Sequence, residues 1–458
     1  MRFSMAIVLG CWLAALPAQE LERAIQAAEA LGARTGVAVV DDQGHVLFRH
    51  RAAEAFAPAS NLKVLSAAAV LQGLGADHAF VTRFALRAGR LVVTASGDPN
   101  WITGSAHSPD VIFGEVAAAL QRMQVTTLRG IDYDAGTFVG PDRPATWPQD
   151  QLYTYYCAPT GPFVLEQGTF SVAIAASSGA TADLHIAAPL TDLPVRNSVQ
   201  MVNAAKGATY GAIDQGTLVQ VRGKFYRRSS PVTIRTAAAD PATWYDAALR
   251  RALGRAGITI EPGATVSAAD GVVHEYRTAI ASAILRMLED SSNFDAEQCV
   301  RVLGQHTAGD GSLAGGLQAM HAQLKVLLGS IPEGVVLQDG SGLSKNSRVT
   351  PAMLVAALSA VQRGHGGKVL RDALPIAGRT GTLEGRFEHT DLVGRVHAKT
   401  GWIRGASALS GLVERRDGSV RWFSILMNYD PKKDGFNKDL KELQEKIVAA
   451  IDKLGAER

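Results

Sequence analysis

Three short motifs contain the side chains of this sequence that are best suited to covalent chemistry. They are Ser60-Asn61-Leu62-Lys63, Ser291-Ser292-Asn293 and Lys399-Thr400-Gly401. If residues 60–63 are helical, one turn places the Lys63 amine beside the Ser60 hydroxyl. A buried lysine flanked by other cationic groups can be neutral enough to accept the serine proton, which makes the serine a nucleophile. The chemistry predicted is acyl transfer through a serine ester.

The other members of the motifs have complementary roles in such a reaction. Ser291 can relay a proton to the leaving amine, and Asn293 can hydrogen-bond the substrate amide. Lys399 supplies a fixed positive charge for a terminal carboxylate. We expect the backbone N–H groups of Ser60 and Trp402 to form an oxyanion hole, each worth about 3 kcal/mol in the transition state.

Each motif also has a simpler explanation or a rival match. Taken alone, Ser60 could be only a helix N-cap, residues 291–293 only a helix end, and Lys399 only an exposed strand charge. Ser344-Lys345-Asn346 also fits the S-x-N pattern but lies in a turn-dense stretch, and Arg379-Thr380-Gly381 resembles K-T-G but lies in a Gly-rich loop. We reject both as primary motifs, because the ordered trio is far more specific than any single match.

The elements around the motifs must position them. A β-hairpin is predicted over residues 35–50, and a helix after Pro58 that begins at Ser60. Short β-rich runs follow from about 84 to 266, and helical periodicity then returns. The last part of the chain reads as three adjacent antiparallel strands, GRVHAKTGWI, ASALSGLVERRDG and SVRWFSILMNYD, and a closing helix over 438–454. This order indicates one α/β domain interrupted by an insertion.

The first residues have the pattern of an export signal. Arg2 precedes an apolar run over residues 5–16, which Pro17-Ala18-Gln19 follows. We expect residues 1–18 to be a cleaved signal peptide, because the run is shorter than the ~20 residues that span a bilayer. A buried helix, a membrane anchor and lipidation of Cys11 are the alternatives. No later stretch is apolar enough to predict a transmembrane segment.

Composition and charge exclude several classes of function. The 458 residues are 47% apolar and 19% charged, which is typical of a globular chain with two or three cores. Lys plus Arg exceed Asp plus Glu by only 46 to 43, so no basic field favours nucleic-acid binding. The 11 histidines form no metal-ligating pattern, so we predict no catalytic metal and no cofactor. Cys157 and Cys299 either form one disulfide or are two buried thiols.

These motifs resemble those of a known family, the class C low-molecular-mass penicillin-binding proteins, which are D-alanyl-D-alanine carboxypeptidases and endopeptidases that trim peptidoglycan. The resemblance spans nearly the whole mature chain. The segments that carry it are TGVAVVDDQGHVLFRH, APASNLKVLSAAAVLQGLG, SGDPNW, TWPQDQLYTYYCAP, DSSNFDAEQ, DGSGLSKNSRVTP, LPIAGRTGTLEGRF and GRVHAKTG.

The resemblance implies a fold and a domain organisation. The expected fold is an α/β transpeptidase/β-lactamase-like domain, an antiparallel sheet with helices, formed by residues 19–83 and 271–458. Two nested β-rich domains over 84–270 are expected to interrupt it, the inner one at about 92–150.

The resemblance also implies a pocket for the peptide side chain. Trp147, Asp150 and Tyr155 align with residues that line the pocket for its free amino end, and Asp150 is expected to pair with the ammonium. The alternative is that the two aromatics belong to the core and that Asp150 is a turn residue.

Substrate binding is further implied for Thr400, Gly401 and Lys345. Two residues depart from the family pattern. Lys345 stands where the family more often has Arg, which could weaken bidentate carboxylate binding. Trp402 stands where it usually has a small residue, which could narrow the groove.

The sequence therefore predicts an exported serine hydrolase that removes the last D-alanine from peptidoglycan stem peptides, or cuts D-alanyl cross-links. An acyl-Ser60 intermediate is expected, and β-lactams should acylate the same serine. A β-lactamase or esterase is one alternative, disfavoured by the large insertion and by the lack of an E-x-x-N after the S-x-N. A catalytically silent peptidoglycan-binding protein is another, disfavoured because all five catalytic residues are present.

The expected location is periplasmic or in the cell envelope. The closing helix has an apolar face that could lie on a membrane surface, although packing on the sheet is favoured. That face consists of Phe436, Leu440, Leu443, Ile447, Ile451 and Leu454.

Overall fold

The structure, a computed structural model, describes residues 4–187, 193–433 and 435–455, with side chains described from residue 17 onward except that of Ala187. In these ranges the helices are α1 (Ser4–Ala30), α2 (Leu62–Leu74), α3 (Pro109–Arg122), α4 (Pro241–Arg255), α5 (Ile280–Leu288), α6 (Asn293–Ala308), α7 (Leu313–Leu328), α8 (Pro351–Gln362), α9 (Gly367–Asp372) and α10 (Phe436–Lys453). The strands are β1 (Arg34–Asp41), β2 (Val46–His50), β3 (Ala79–Arg87), β4 (Arg90–Thr94), β5 (Thr127–Leu128), β6 (Gly130–Asp134), β7 (Thr169–Ala175), β8 (Asp183–Ala187), β9 (Val195–Val202), β10 (Tyr210–Asp214), β11 (Val219–Tyr226), β12 (Val232–Ala237), β13 (Thr259–Ile260), β14 (Gly271–Ala279), β15 (Val396–Ile403), β16 (Ala406–Glu414) and β17 (Val420–Asn428).

The chain divides into two compact units. The first comprises Met1–Ala76, Ile284–Ala308 and Gly316–Arg458, and the second comprises Asp77–Ala283 and Gly309–Gly315. In sequence, therefore, the second unit is inserted into the first. The division at 83/84 and 270/271 and the nesting of two inserted domains stay predictions. Strand β3 contains the first of these positions and β14 begins at the second, and the two strands pair with each other inside the second unit.

A five-stranded antiparallel sheet forms the frame of the first unit. Its strand order is β15-β16-β17-β1-β2, so the hairpin from the start of the chain joins the three strands from its end. The predicted hairpin, the three adjacent strands and the α/β class are confirmed. Strand β15, which carries Lys399, lies at one edge of this sheet.

Helices cover this sheet with their apolar faces. Leu440, Ile447 and Ile451 of α10 are fully buried in one cluster with residues of β1, β16 and β17. The predicted packing of the closing helix on the sheet is confirmed, and the membrane-surface alternative is wrong for this face, because the sheet and α1 cover it.

Helix α1 continues past the expected cleavage point. Its residues Leu21 and Ile25 are buried in the same cluster as α10. Cleavage after residue 18 would therefore leave this packed part of α1 in the mature chain. The prediction of a signal peptide falls partly on residues 1–3, which lie outside the described residues.

Among its described residues, the second unit contains several small sheets and the helices α3 and α4. One sheet has the order β14-β3-β4-β6, and two others have the orders β12-β7-β8 and β10-β11-β9. The expectation of β-rich material with few long helices missed α3 and α4. Both begin at a proline preceded by a capping-type residue, Ser108 or Asp240, and the Asp240 carboxylate accepts N–H bonds from the first turn of α4. This start signal was readable in the sequence.

Candidate active site

Ser60 lies in a single 3₁₀ turn, Ala59–Asn61, that leads directly into α2. Ala59 adopts a left-handed φ of 48°, a conformation that non-glycine residues rarely take and that is concentrated at functional sites. The Asn61 side-chain amide donates to the Lys399 carbonyl at 3.0 Å, which ties the start of the helix to β15. Ser60 itself is only partly buried, so its hydroxyl stays accessible at the end of a buried helix.

The Lys63 amine has three hydrogen-bond partners. It donates to Ser60 Oγ at 3.0 Å, to Asn293 Oδ1 at 2.6 Å and to the Ser341 carbonyl at 2.8 Å. The first contact is the one-turn juxtaposition that the S-x-x-K spacing predicts. The other two come from segments more than 200 residues away along the chain. Together they fix the amine beside the serine hydroxyl.

Burial changes the acidity of this amine. Lys63 is fully buried, and desolvation lowers its pKa from 10.5 to about 7, while the carboxylates of Asp339 and Glu297 act in the opposite direction. An ammonium that loses its water shell is destabilised relative to the neutral amine. The neutral form of Lys63 is therefore well populated near neutral pH and can act as a general base for Ser60.

Lys399 is the second buried amine of the site. Burial, and then the charge of Lys63, lower the pKa of Lys399 well below its usual value, whereas Asp290 acts in the opposite direction. Its amine donates to the Thr400 carbonyl at 3.0 Å. The charge of Lys63 thus acts on Lys399, as expected where a lysine base and a binding cation share one site.

The S-x-N segment lies between α5 and α6. Asn293 opens α6 and contacts Lys63 directly, while Ser291 sits in the turn with a left-handed φ of 60°. The rival S-x-N match differs, because Lys345 and Asn346 are exposed on a loop and the Ser344 N–H donates to Asp339. The proton-relay role of Ser291 stays a prediction.

The K-T-G segment lies in the edge strand, as expected from the sequence. A Cβ on Gly401 would come within 3.0 Å of the Pro58 carbonyl and 3.1 Å of the Asn61 nitrogen, so glycine allows β15 to pack against the turn that carries Ser60. Thr400 donates to the Thr382 hydroxyl at 2.8 Å. Thr382 follows directly after the rival match at 379–381, which forms a turn.

Trp402 follows Gly401 with an exposed side chain. The indole is 57% exposed, and its N–H donates to the Tyr429 hydroxyl at 3.3 Å. The oxyanion-hole role concerns only the backbone N–H groups of Trp402 and Ser60, and it stays a prediction.

The remaining predicted site residues are Lys345, Trp147, Asp150 and Tyr155. In the first unit, Lys345 is exposed, and its carbonyl accepts a hydrogen bond from Arg348 at 2.7 Å. In the second unit, Trp147 is buried, whereas Asp150 and Tyr155 are exposed. These exposures fit a core role for Trp147 and leave the other two available to a ligand.

Sequence reasoning missed three residues around the Lys63 amine: Glu297, Asp339 and Ser341. Ser341 contributes a backbone carbonyl, which no side-chain motif can reveal. The two carboxylates are buried and act on the charge of Lys63. One signal was available, because Glu297 lies four residues after Asn293 and so on the same face of α6.

The cysteines and the potential metal ligands are the other side chains that could carry chemistry. Cys157 and Cys299 are both buried thiols. No group of three or more His, Cys, Asp or Glu side chains in the described part of the chain could hold a metal ion. Within the same residues, no helix has the length and apolar character needed to cross a membrane.

Residues 17–453 match the D-Ala-D-Ala carboxypeptidase 3 (S13) family. This match covers nearly the whole chain. The chain belongs to this family. A D-alanyl-D-alanine carboxypeptidase of Actinomadura sp. (strain R39) is 33% identical over 429 residues, which are 87% of this chain and 78% of that protein. A penicillin-sensitive carboxypeptidase A of Dictyostelium discoideum is 24% identical over 436 residues, 87% of this chain and 82% of that protein.

Solved structures share the fold. Penicillin-binding protein 4 of Haemophilus influenzae superposes with a TM-score of 0.77 at 21% identity, covering 92% of this chain and 97% of that one. The predicted resemblance to class C low-molecular-mass penicillin-binding proteins is confirmed. The predicted activity, that of a serine-type D-Ala-D-Ala carboxypeptidase, is also confirmed at the level of the family.

Proposed function

We propose that this carboxypeptidase acts on peptidoglycan stem peptides through an ester on Ser60. Neutral Lys63 takes the Ser60 proton while Oγ attacks the carbonyl carbon of the penultimate D-alanine. The N–H groups of Ser60 and Trp402 stabilise the oxyanion. A proton passes through Ser291 to the departing D-alanine amine, and water then hydrolyses the ester. When the departing amine belongs to another stem peptide, the same steps cut a cross-link.

One observation carries this assignment: the buried Lys63 amine lies 3.0 Å from Ser60 Oγ and has a pKa lowered to about 7. A nucleophile needs a base that is close and also unprotonated at working pH. Lys63 has both properties. An ordinary exposed lysine would have only the first.

Substrate recognition is proposed at both ends of the peptide. Lys399 holds the terminal carboxylate, with Thr400 and Gly401 of the same strand beside it and Lys345 as a further cation. Asp150 binds the ammonium of the stem-peptide side chain, in a pocket that Trp147 and Tyr155 line. The exposed Asp150 carboxylate supports this role, because a buried turn residue could not reach a ligand.

We further propose that the enzyme is exported and works in the periplasm or elsewhere in the cell envelope, where its substrate is found. The apolar run over residues 5–16 between Arg2 and Pro17 supports export. β-Lactams are proposed as inhibitors, because an acylated serine that cannot be hydrolysed blocks the site.

The test is to label the protein with a fluorescent penicillin and to locate the adduct by mass spectrometry. We expect the adduct on the peptide that contains Ser60, and no labelling of Ser60→Ala. Ser359→Ala, which removes a buried hydroxyl from α8 in the same unit, is the matched control and should label normally. An adduct on Ser341 or Ser344 would contradict the mechanism.

A further inference from the structure

The loop that carries the Ser341 carbonyl is held by two helices at once. From α2, the Ser66 hydroxyl donates to the Gly340 carbonyl at 2.5 Å. From α6, the Glu297 carboxylate accepts the Gly340 N–H at 2.9 Å and the Ser341 N–H at 2.8 Å. The loop is therefore fixed between the helix that carries Lys63 and the helix that carries Asn293.

The loop can approach this closely because it is rich in glycine. A Cβ on Gly340 would lie 3.1 Å from the Ala296 carbonyl, and one on Gly342 would lie 1.9 Å from the Ala59 carbonyl. Gly342 also has a φ of +78°, which favours glycine. The backbone of this loop thus packs directly against the residue that precedes Ser60.

Glu297 reaches Lys63 through a single residue, Ser341, whose N–H and carbonyl belong to successive peptide units. Its carboxylate binds the Ser341 N–H, and the carbonyl of the same residue accepts the Lys63 amine at 2.8 Å. Glu297 and Asn293 lie one turn apart on α6, so a single helix face supplies both the direct and the indirect contact. Any displacement of the Glu297 carboxylate would move the carbonyl that fixes the base.

Glu297 also contributes charge. Glu297 from α6 and Asp339 from the loop act on the charge of Lys63, and the charge of Lys63 acts on Lys399 from β15. Burial, with Asp339 nearby, raises the pKa of Glu297, while backbone N–H donors of Gly340 and Ser341 oppose that shift by stabilising the anion. In its ionised form Glu297 favours the ammonium form of Lys63.

We propose that Glu297 is a positioning residue for the general base: it holds the Gly340–Ser341 peptide so that the Ser341 carbonyl fixes the Lys63 amine, and only in its ionised form does it also favour the ammonium form of Lys63. This inference rests on the proposed role of Lys63 in activating Ser60.

The test is Glu297→Gln, which keeps the shape of the side chain but removes its charge. The Gly340 N–H faces both carboxylate oxygens, at 3.0 and 2.9 Å, so the NH₂ donor of the amide faces this N–H whichever way the amide is turned. We expect the plateau rate of acylation by a fluorescent penicillin to fall about tenfold or more, because small misplacements of a catalytic group are costly. We also expect the acid midpoint of the pH–rate profile to move to lower pH, since the ionised form of Glu297, which favours the ammonium, can no longer exist.

Two further variants separate positioning from a general loss of packing. Ser66→Ala releases the same loop from α2 without changing any charge, so its plateau rate should fall while its acid midpoint stays in place. Glu445→Gln makes the identical substitution in α10, where Glu445 pairs with Arg386 at 2.7 Å, and should change neither quantity. Thermal unfolding of each variant shows whether it is folded.

The outcomes are distinguishable. If Glu297→Gln is folded and keeps the wild-type midpoint, Glu297 has only a structural role and the inference is wrong. If it does not fold, a shift of the acid midpoint in Ser66→Ala would overturn the charge argument, and an unchanged midpoint with a reduced plateau would support the loop's positioning role. Failure of the proposed function has a different signature, which is normal labelling of Ser60→Ala.

Discussion

Replacing Lys63 by arginine is the sharpest perturbation of the proposed base. Arginine keeps the positive charge and can still donate hydrogen bonds, but it does not deprotonate in proteins. A lysine with a pKa of about 7 is half neutral at pH 7, whereas one at 10.5 would be neutral in only about one molecule in 3,000. The burial of Lys63 therefore raises the population of usable base on the order of a thousandfold.

We expect Lys63→Arg to lose at least about a thousandfold in the second-order rate of acylation at every pH from 5 to 10. The wild type should show an acid limb with its midpoint near pH 7, because the base is the neutral amine. Stopped-flow fluorescence with a fluorescent penicillin measures both quantities. Lys325→Arg, at an exposed position on α7, is the matched control and should behave as the wild type.

Two results would refute this reasoning. A wild-type acid midpoint near pH 10 would show that burial does not lower the pKa of Lys63. A folded Lys63→Arg variant that acylates within tenfold of the wild type would show that another group takes the Ser60 proton. Thermal unfolding is needed alongside, since arginine is larger than the lysine it replaces in a fully buried position.

Three further predictions concern substrate recognition. Lys399→Ala should reduce the preference for peptides ending in a free carboxylate over those ending in an amide, as measured by kcat/KM; equal losses on both peptides would exclude the carboxylate contact. Asp150→Asn should lose about tenfold or more in kcat/KM, or ~1.4 kcal/mol, on a peptide with a free side-chain amine but not on its N-acetylated twin. If both peptides or neither are affected, Asp150 does not bind the ammonium. Trp402→Ser keeps the backbone N–H, so acylation by a penicillin should stay within about threefold, while cleavage of a cross-linked dimer should rise relative to release of D-alanine. An unchanged ratio would show that the indole does not narrow the groove.

The local pattern of residues determined the parts of the site that lie close together along the chain. Ser60 and Lys63 are three residues apart, and a helix of regular pitch must bring them together, so the sequence predicted this contact without knowledge of the fold. Alternation and turn residues likewise predicted the hairpin and the three final strands. The family resemblance then extended the prediction to the activity, which the match over residues 17–453 confirms.

Only the tertiary structure decided which distant groups meet the Lys63 amine. Asn293 and the Ser341 carbonyl are 230 and 278 residues away along the chain, and only packing brings them to this amine. The burial of Lys63 could not be read from the motif either. A lysine side chain in water is a hydrated ammonium, and only the packing of surrounding helices removes that water. The effect of Glu297 on the charge of Lys63 depends on the distance between the two groups in space and on the low dielectric around them. Charge and desolvation act through space, and the spacing of residues along a chain does not encode them.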